Sequence, residues 1–267
     1  MRCPIGLPVL LRASATTACA VAAIVTVNYL ALHQVVFAPG RGIYLLARLI
    51  EYGTAQEYLA RECGEHPYAI CAVRDRLPHS VNDFRWSVVQ ELGGDQAYAP
   101  EAARLADRII ADAPLRHAIL ALRATAGQFV LFSTGTDLHS YGPDARVYQV
   151  IHGYFAGEAA QFDKSLEQKG TLPLAWVNAV HVPIGYVLLV IDAVLLGLAL
   201  TRRQQRVALF LTTVFVTLVM NAFLCGALST SESRYQSRMM PLLLIGCYIG
   251  VQGLWRFDRA GEPVIQC

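Results

Sequence analysis

Two short polar stretches hold the residues whose types and spacing could do chemistry. Across Cys63–Trp86 the chain reads CGEHPYAICAVRDRLPHSVNDFRW, bringing Asp75, Asp83, Arg85 and Trp86 close together in sequence. Much later, just before the last apolar run, SESRYQSR carries Arg234, Tyr235 and Arg238. A carboxylate such as Asp75 or Asp83 can serve as a general base. Guanidinium forks match phosphate oxygens in pairs, so Arg85, Arg234 and Arg238 are candidates for holding a phosphate-bearing group, with Trp86 and Tyr235 beside them. The competing reading of the first stretch is a surface loop with ordinary ion pairs; of the second, arginines that snorkel or pair with acids. Neither His-Glu-x-x-His nor Cys-x-x-Cys spacing occurs, so no metal site is expected. No cofactor is expected either, since His33 and His181 alone do not define a haem site.

Cys63 and Cys71 are close enough in sequence to bond if their loop faces an oxidising compartment. Cys19, Cys225 and Cys247 fall in apolar runs, where a thiol serves as a small apolar side chain. Cys3 and Cys267 are terminal.

The elements that must position these groups are apolar runs at 13–37, 174–200, 207–228 and 239–255. Crossing a bilayer takes roughly 20 helical residues. Thr201–Arg206, TRRQQR, joins the second and third runs, and basic connections stay on the cytoplasmic side. The segments 1–12, 201–206 and 256–267 then carry Arg2, Arg12, Arg202, Arg203, Arg206, Arg256 and Arg259 against Asp258 and Glu262, whereas 38–173 holds more acids than bases. Four spans with both termini cytoplasmic satisfy this charge pattern, with 229–238 as a short outer loop. A cleaved signal peptide competes for the first run, since Ala18-Cys19-Ala20 has small residues, but the run continues through Val21–Leu32, longer than a signal core. It reads as an uncleaved anchor.

Composition agrees: 55% of residues are hydrophobic, 16% are charged and the net charge is +2. So weak a basic balance argues against nucleic acid as a partner. Three polar residues in the later runs are costly to keep there: His181, Asp192 and Asn221. A charge at mid-span costs about 2.5–3.5 kcal/mol on insertion scales. Asp192 is either a proton-coupled or substrate-contacting carboxylate, or an acid hydrogen-bonded to a neighbouring helix, for instance to Asn221 or a carbonyl.

The region 38–173 is expected to be a helical extracytoplasmic domain. Helical spacing runs through Gly42–Glu62, with Ile43, Leu46, Leu49 and Ile50 on one side. Ser87–Ala113 predicts a helix after Pro100. Leu115–Ser133 predicts an amphipathic helix, lying in the interface or packed under the domain. Gly135–Gly170 reads as turn-rich. The fold class is therefore an all-α membrane protein: four transmembrane helices, with this domain between the first and second.

The R-Y-Q-x-R tract before the final run, the LLARLIE-G helix within Ile43–Gly53 and the cysteine-bearing loop Cys63–Cys71 resemble uncharacterised polytopic inner-membrane proteins of proteobacteria. The resemblance implies a bacterial inner (plasma) membrane location and this topology, without an activity. Two functions then compete. One is an accessory or scaffold subunit of a larger membrane complex, whose periplasmic domain binds a partner or an anionic lipid. The other is a glycosyltransferase-like envelope-assembly enzyme acting on a polyprenyl-phosphate-linked substrate, with Asp75 or Asp83 as base. A transporter would call for an internal repeat, and none is visible.

Overall fold

A computed structural model of the chain describes residues 7–33 and 35–260. Arg2, Cys3 and Cys267, and the side chains of Arg256 and Arg259, lie outside the described residues. The described residues form helices and turns without a strand, and four of these helices are long and apolar enough to cross a membrane. They divide into two compact units, the first running to Ile109 and the second starting at Ile110.

The first unit opens with α1 (Leu7–Leu32), largely exposed along its length. The apolar run predicted to 37 is cut short: His33 adopts a left-handed φ of 55°, and the Asn28 amide donates to the carbonyls of Val36 and Phe37 at 2.8 and 3.1 Å. An asparagine inside the apolar stretch thus folds the following chain back onto the helix end.

The predicted Gly42–Glu62 helix is two helices, α2 (Arg41–Glu51) and α3 (Thr54–Glu62). Gly53 between them has φ of 76°, a left-handed conformation that costs glycine nothing and ends α2. Ile43, Leu46, Ile50 and Leu59 are buried, so this pair forms the core of the unit. A 3₁₀ turn, Ala69–Arg76, follows. The helical run α4 (Val81–Asp83), a π turn (Phe84–Val88) and α5 (Val89–Glu91) then leads to α6 (Gly94–Asp112). Pro100 was expected to start the last helix but sits inside it; the helix begins earlier, at Gly94. Phe84 and Tyr98 meet edge to face, with ring centroids 6.4 Å apart.

The second unit contains α7 (Pro114–Phe129), α8 (Arg146–Tyr154), α9 (Ala156–Lys164), α10 (Leu174–Thr201), α11 (Gln205–Ala222), α12 (Ser233–Ser237) and α13 (Met240–Ala260). Pro114 supplies a pre-set first turn for α7, where its missing N–H costs nothing. Helices α10, α11 and α13 form a bundle whose core is Phe132, Leu188, Val214, Leu218 and Leu243 towards one end and Leu195, Ala199, Leu211 and Leu254 towards the other. Small residues set the approach. A Cβ on Gly185 would lie 2.8 Å from the Phe132 ring, too close for any real contact. At its far end α11 widens into a π turn, Phe223–Ala227, and α7 packs there: a Cβ on Gly226 would come within 2.7 Å of the Ala124 carbonyl oxygen. The amphipathic helix predicted over 115–133 is thus packed against a span, with Leu115 and Leu122 exposed.

Candidate functional site

The SESRYQSR stretch was expected to be an outer loop; residues Ser233–Ser237 instead make the short helix α12, and its two sides have different tasks. Ser233 and Gln236 point inward and are fully buried. The Ser233 hydroxyl lies 2.5 Å from that of Thr136. The Asn221 amide donates to the Tyr235 carbonyl at 3.0 Å and to Gln236 Oε1 at 2.9 Å. The expected Asn221–Asp192 link is therefore absent: Asn221 sits at the end of α11, and its one amide group is spent on α12.

The outward side carries Arg234, Tyr235 and Arg238. Both guanidinium groups lie over the Tyr235 ring, Arg234 at 5.2 Å and Arg238 at 5.1 Å from its centroid, within cation–π range. Arg234 is ion-paired with Asp137. Arg238 is exposed, and its Nε donates to the Arg234 carbonyl at 3.0 Å. Nearby, burial pushes the Tyr141 phenol up, with Glu167 and Asp137 adding to the rise and Arg234 opposing it. The backbone beside that ring is held by Gln168, whose side chain bonds Tyr141 N–H at 2.6 Å and Tyr141 C=O at 3.0 Å.

In the first unit, Arg85 stacks between Tyr44 and Trp86, at 4.6 and 4.8 Å from their ring centroids, and pairs with Asp95 at 3.6 Å. Trp86 is more than half exposed. Asp83 lies at the start of this helical run, its N–H donating to the Ser80 hydroxyl at 3.3 Å. Residues two apart on a helix face away from one another, so Asp83 and Arg85 do not meet as their spacing in sequence suggests. Asp75 is 88% exposed and accepts from its neighbour Arg74 at 3.0 Å, an ordinary surface pair. Cys63 and Cys71 are disulfide-bonded, with Cα atoms 5.7 Å apart, which ties the end of α3 to the 3₁₀ turn.

Two of the polar residues singled out in sequence lie in α10. His181 Nε2 is buried without a hydrogen-bond partner, and the Asp192 carboxyl is buried beside the Cys247 thiol. Among the described residues no three His, Cys, Asp or Glu side chains group as metal ligands.

Several residues that build the α12 site are not flagged by residue type alone: Gln128, Thr136 and Asp137 belong to segments distant in sequence. The polar tract Ser133–Asp137, STGTD, following the apolar Phe129–Phe132, was the available signal. Compared with protein-family models, with curated proteins and with solved structures, the chain has no match. Fold and hydropathy define an all-helical, multi-pass membrane protein.

Proposed function

We propose that this chain is an accessory or scaffold subunit of the bacterial inner membrane, and that its extracytoplasmic side binds an anionic phosphate-bearing lipid. One observation carries the reading: Arg234 and Arg238 both lie over one tyrosine ring on α12, immediately before the last span, and Arg238 is exposed. Guanidinium groups gathered in this way suit phosphate oxygens, and a tyrosine at headgroup level suits an interface. The orientation rests on the exposed arginines of the 201–206 connection and on the Cys63–Cys71 bond, which oxidising compartments favour. A larger membrane complex is the natural setting for such a subunit. The polyprenyl-phosphate transferase reading draws less support, because Arg85 is engaged by Asp95 and Asp75 by Arg74.

The test is lipid retention. Full-length protein is reconstituted in nanodiscs of zwitterionic lipid doped with phosphatidylglycerol or with undecaprenyl phosphate, and bound lipid is counted by native mass spectrometry. Preferential retention of an anionic lipid, weakened roughly tenfold or more by Arg238→Ala, is expected for loss of a charge-assisted contact worth about 1.5–3 kcal/mol. Equal retention of zwitterionic lipid, unchanged by Arg238→Ala, would overturn the reading.

A further inference from the structure

Helix α7 has two opposite sides with different surroundings. His117, Ala124 and Gln128 share one of them: His117 and Gln128 are buried, and Ala124 meets Gly226 in the π turn at the end of α11. Helical spacing puts Leu115, Ile119 and Leu122 on the reverse side, where Leu115 is 74% and Leu122 70% exposed. A helix resting on a protein surface in water turns polar residues outward. Here the outward side is apolar, and the polar edge beside it is narrow, made of Arg116 and Arg123. From Pro114 to Ser133 the chain carries no carboxylate.

The depth of α7 follows from what it touches. The arginines of the 201–206 connection hold that end of α10 at the bilayer surface. From Thr201 back to Tyr186 is 15 residues, about 22 Å at helical rise, within a hydrocarbon layer of about 30 Å. Tyr186 donates to the Val130 carbonyl at 2.9 Å, and Phe132 lies against Gly185. The chain leaving α7 is therefore inside the apolar layer. On α11, Gly226 is 21 residues from Gln205, about 31 Å along the axis, so its contact with Ala124 marks the far edge of that layer. Val130 and Tyr186 are both exposed, so the outer surface of the span α10 continues onto the end of α7.

Covering the stripe with water carries a cost that grows with its apolar area, whereas acyl chains cover it without one. We infer that α7 lies in the leaflet opposite the 201–206 connection, one side seated on the bundle and the Leu115–Ile119–Leu122 side covered by acyl chains, with Arg123 at the headgroup phosphates. An arginine edge on a helix free of acids fits an anionic lipid surface. Packing against a span and lying in the interface are then one arrangement. It holds whichever side of the membrane is cytoplasmic, and whether or not α12 binds lipid. Because the Gln128 side chain of α7 bonds the Glu232 backbone, the leaflet also braces the segment leading into α12.

Tryptophan quenching in nanodiscs tests this on the full-length chain. The three native tryptophans are replaced (Trp86→Phe, Trp176→Phe, Trp255→Phe) and one is introduced by Leu122→Trp. Ile119→Trp repeats the measurement on the same stripe should Leu122→Trp not fold. Val190→Trp, on the exposed surface of α10, is the reference for a lipid-facing position. The discs contain phosphatidylglycerol and phosphatidylcholine brominated near the headgroup end of its acyl chains. Strong quenching by the brominated lipid with protection from aqueous iodide, as at Val190→Trp, is the expected result. Quenching by iodide with indifference to the brominated lipid would put the stripe in water and overturn the inference. Quenching by neither would show that protein covers the stripe, and would overturn it equally.

Discussion

The Gln128 side chain grips the backbone of Glu232 at two points: its Nε2 donates to the Glu232 carbonyl at 2.9 Å, and its Oε1 accepts from the Glu232 N–H at 3.0 Å. Gln128 is 1% exposed, near the end of α7, and Glu232 immediately precedes α12. A glutamine thus does the work of a β-ladder, locking α7 to the segment that presents Arg234 and Arg238.

Replacing Gln128 by Ala is expected to destabilise the second unit by about 1–3 kcal/mol, the cost of leaving buried backbone groups unpaired. Gln128→Glu keeps the acceptor but loses the donor, so its loss should be smaller than a full truncation only if the acid is protonated. The measurement is thermal unfolding in mild detergent, with Arg238 proteolysis as a local readout. Unchanged stability in Gln128→Ala would show that the clamp contributes nothing.

Gly246 of α13 packs against the Asp192 carboxyl of α10, so Gly246→Ala should destabilise by about 1–3 kcal/mol through overpacking. In the double variant Gly246→Ala/Asp192→Ala the clash is gone, and a coupling of about 0.5–3 kcal/mol between the two sites is expected in a double-mutant cycle. Additive effects in that cycle would place the strain elsewhere.

Removing the Cys63–Cys71 bond with Cys63→Ser/Cys71→Ser closes off an entropic advantage of about 2–3 kcal/mol for so short a loop. The first unit should melt earlier and the second unchanged. Alkylation of protein trapped in cells should find these two thiols blocked, and a reporter fused after Gly135 should be extracytoplasmic; free thiols together with a cytosolic reporter would reverse the proposed orientation.

Tyr98→Phe is expected to leave stability unchanged or raise it by up to about 2 kcal/mol. The Tyr98 hydroxyl is buried without a partner, and deleting an unsatisfied polar group removes a desolvation cost. Differential scanning fluorimetry on the two proteins decides this; a large loss would mean the hydroxyl is bonded, for example through water.

Much of the architecture was legible in sequence because hydrophobic length is a direct physical constraint. The runs from Leu174 and Val207 appear as helices α10 and α11 at nearly the predicted positions. Boundaries governed by single side chains were not legible. Asn28 turning back the chain after α1, and Gly53 dividing the Gly42–Glu62 pattern, act through local hydrogen bonds and φ, which periodicity does not encode. The helices α8 and α9 were missed because Gly153, Gly157 and scattered polar residues dilute their pattern. At the candidate site the arginines were visible by residue type, whereas Asp137 and Gln128, far away in the chain, became relevant only once the bundle brought them beside α12.

The wide π turn at Phe223–Ala227 has a bearing on how this chain would be aligned with any relative. One surplus residue in that turn sets the phase of the chain through its end and beyond, including Gly226 within the turn, the small residue that admits α7. A homologue with an unbroken α-helix here would have to shift its glycine by one position to keep the same fit. A single-residue gap placed at this turn would therefore mark a structural equivalence, and an ungapped match through it would mark a different way of seating the neighbouring helix.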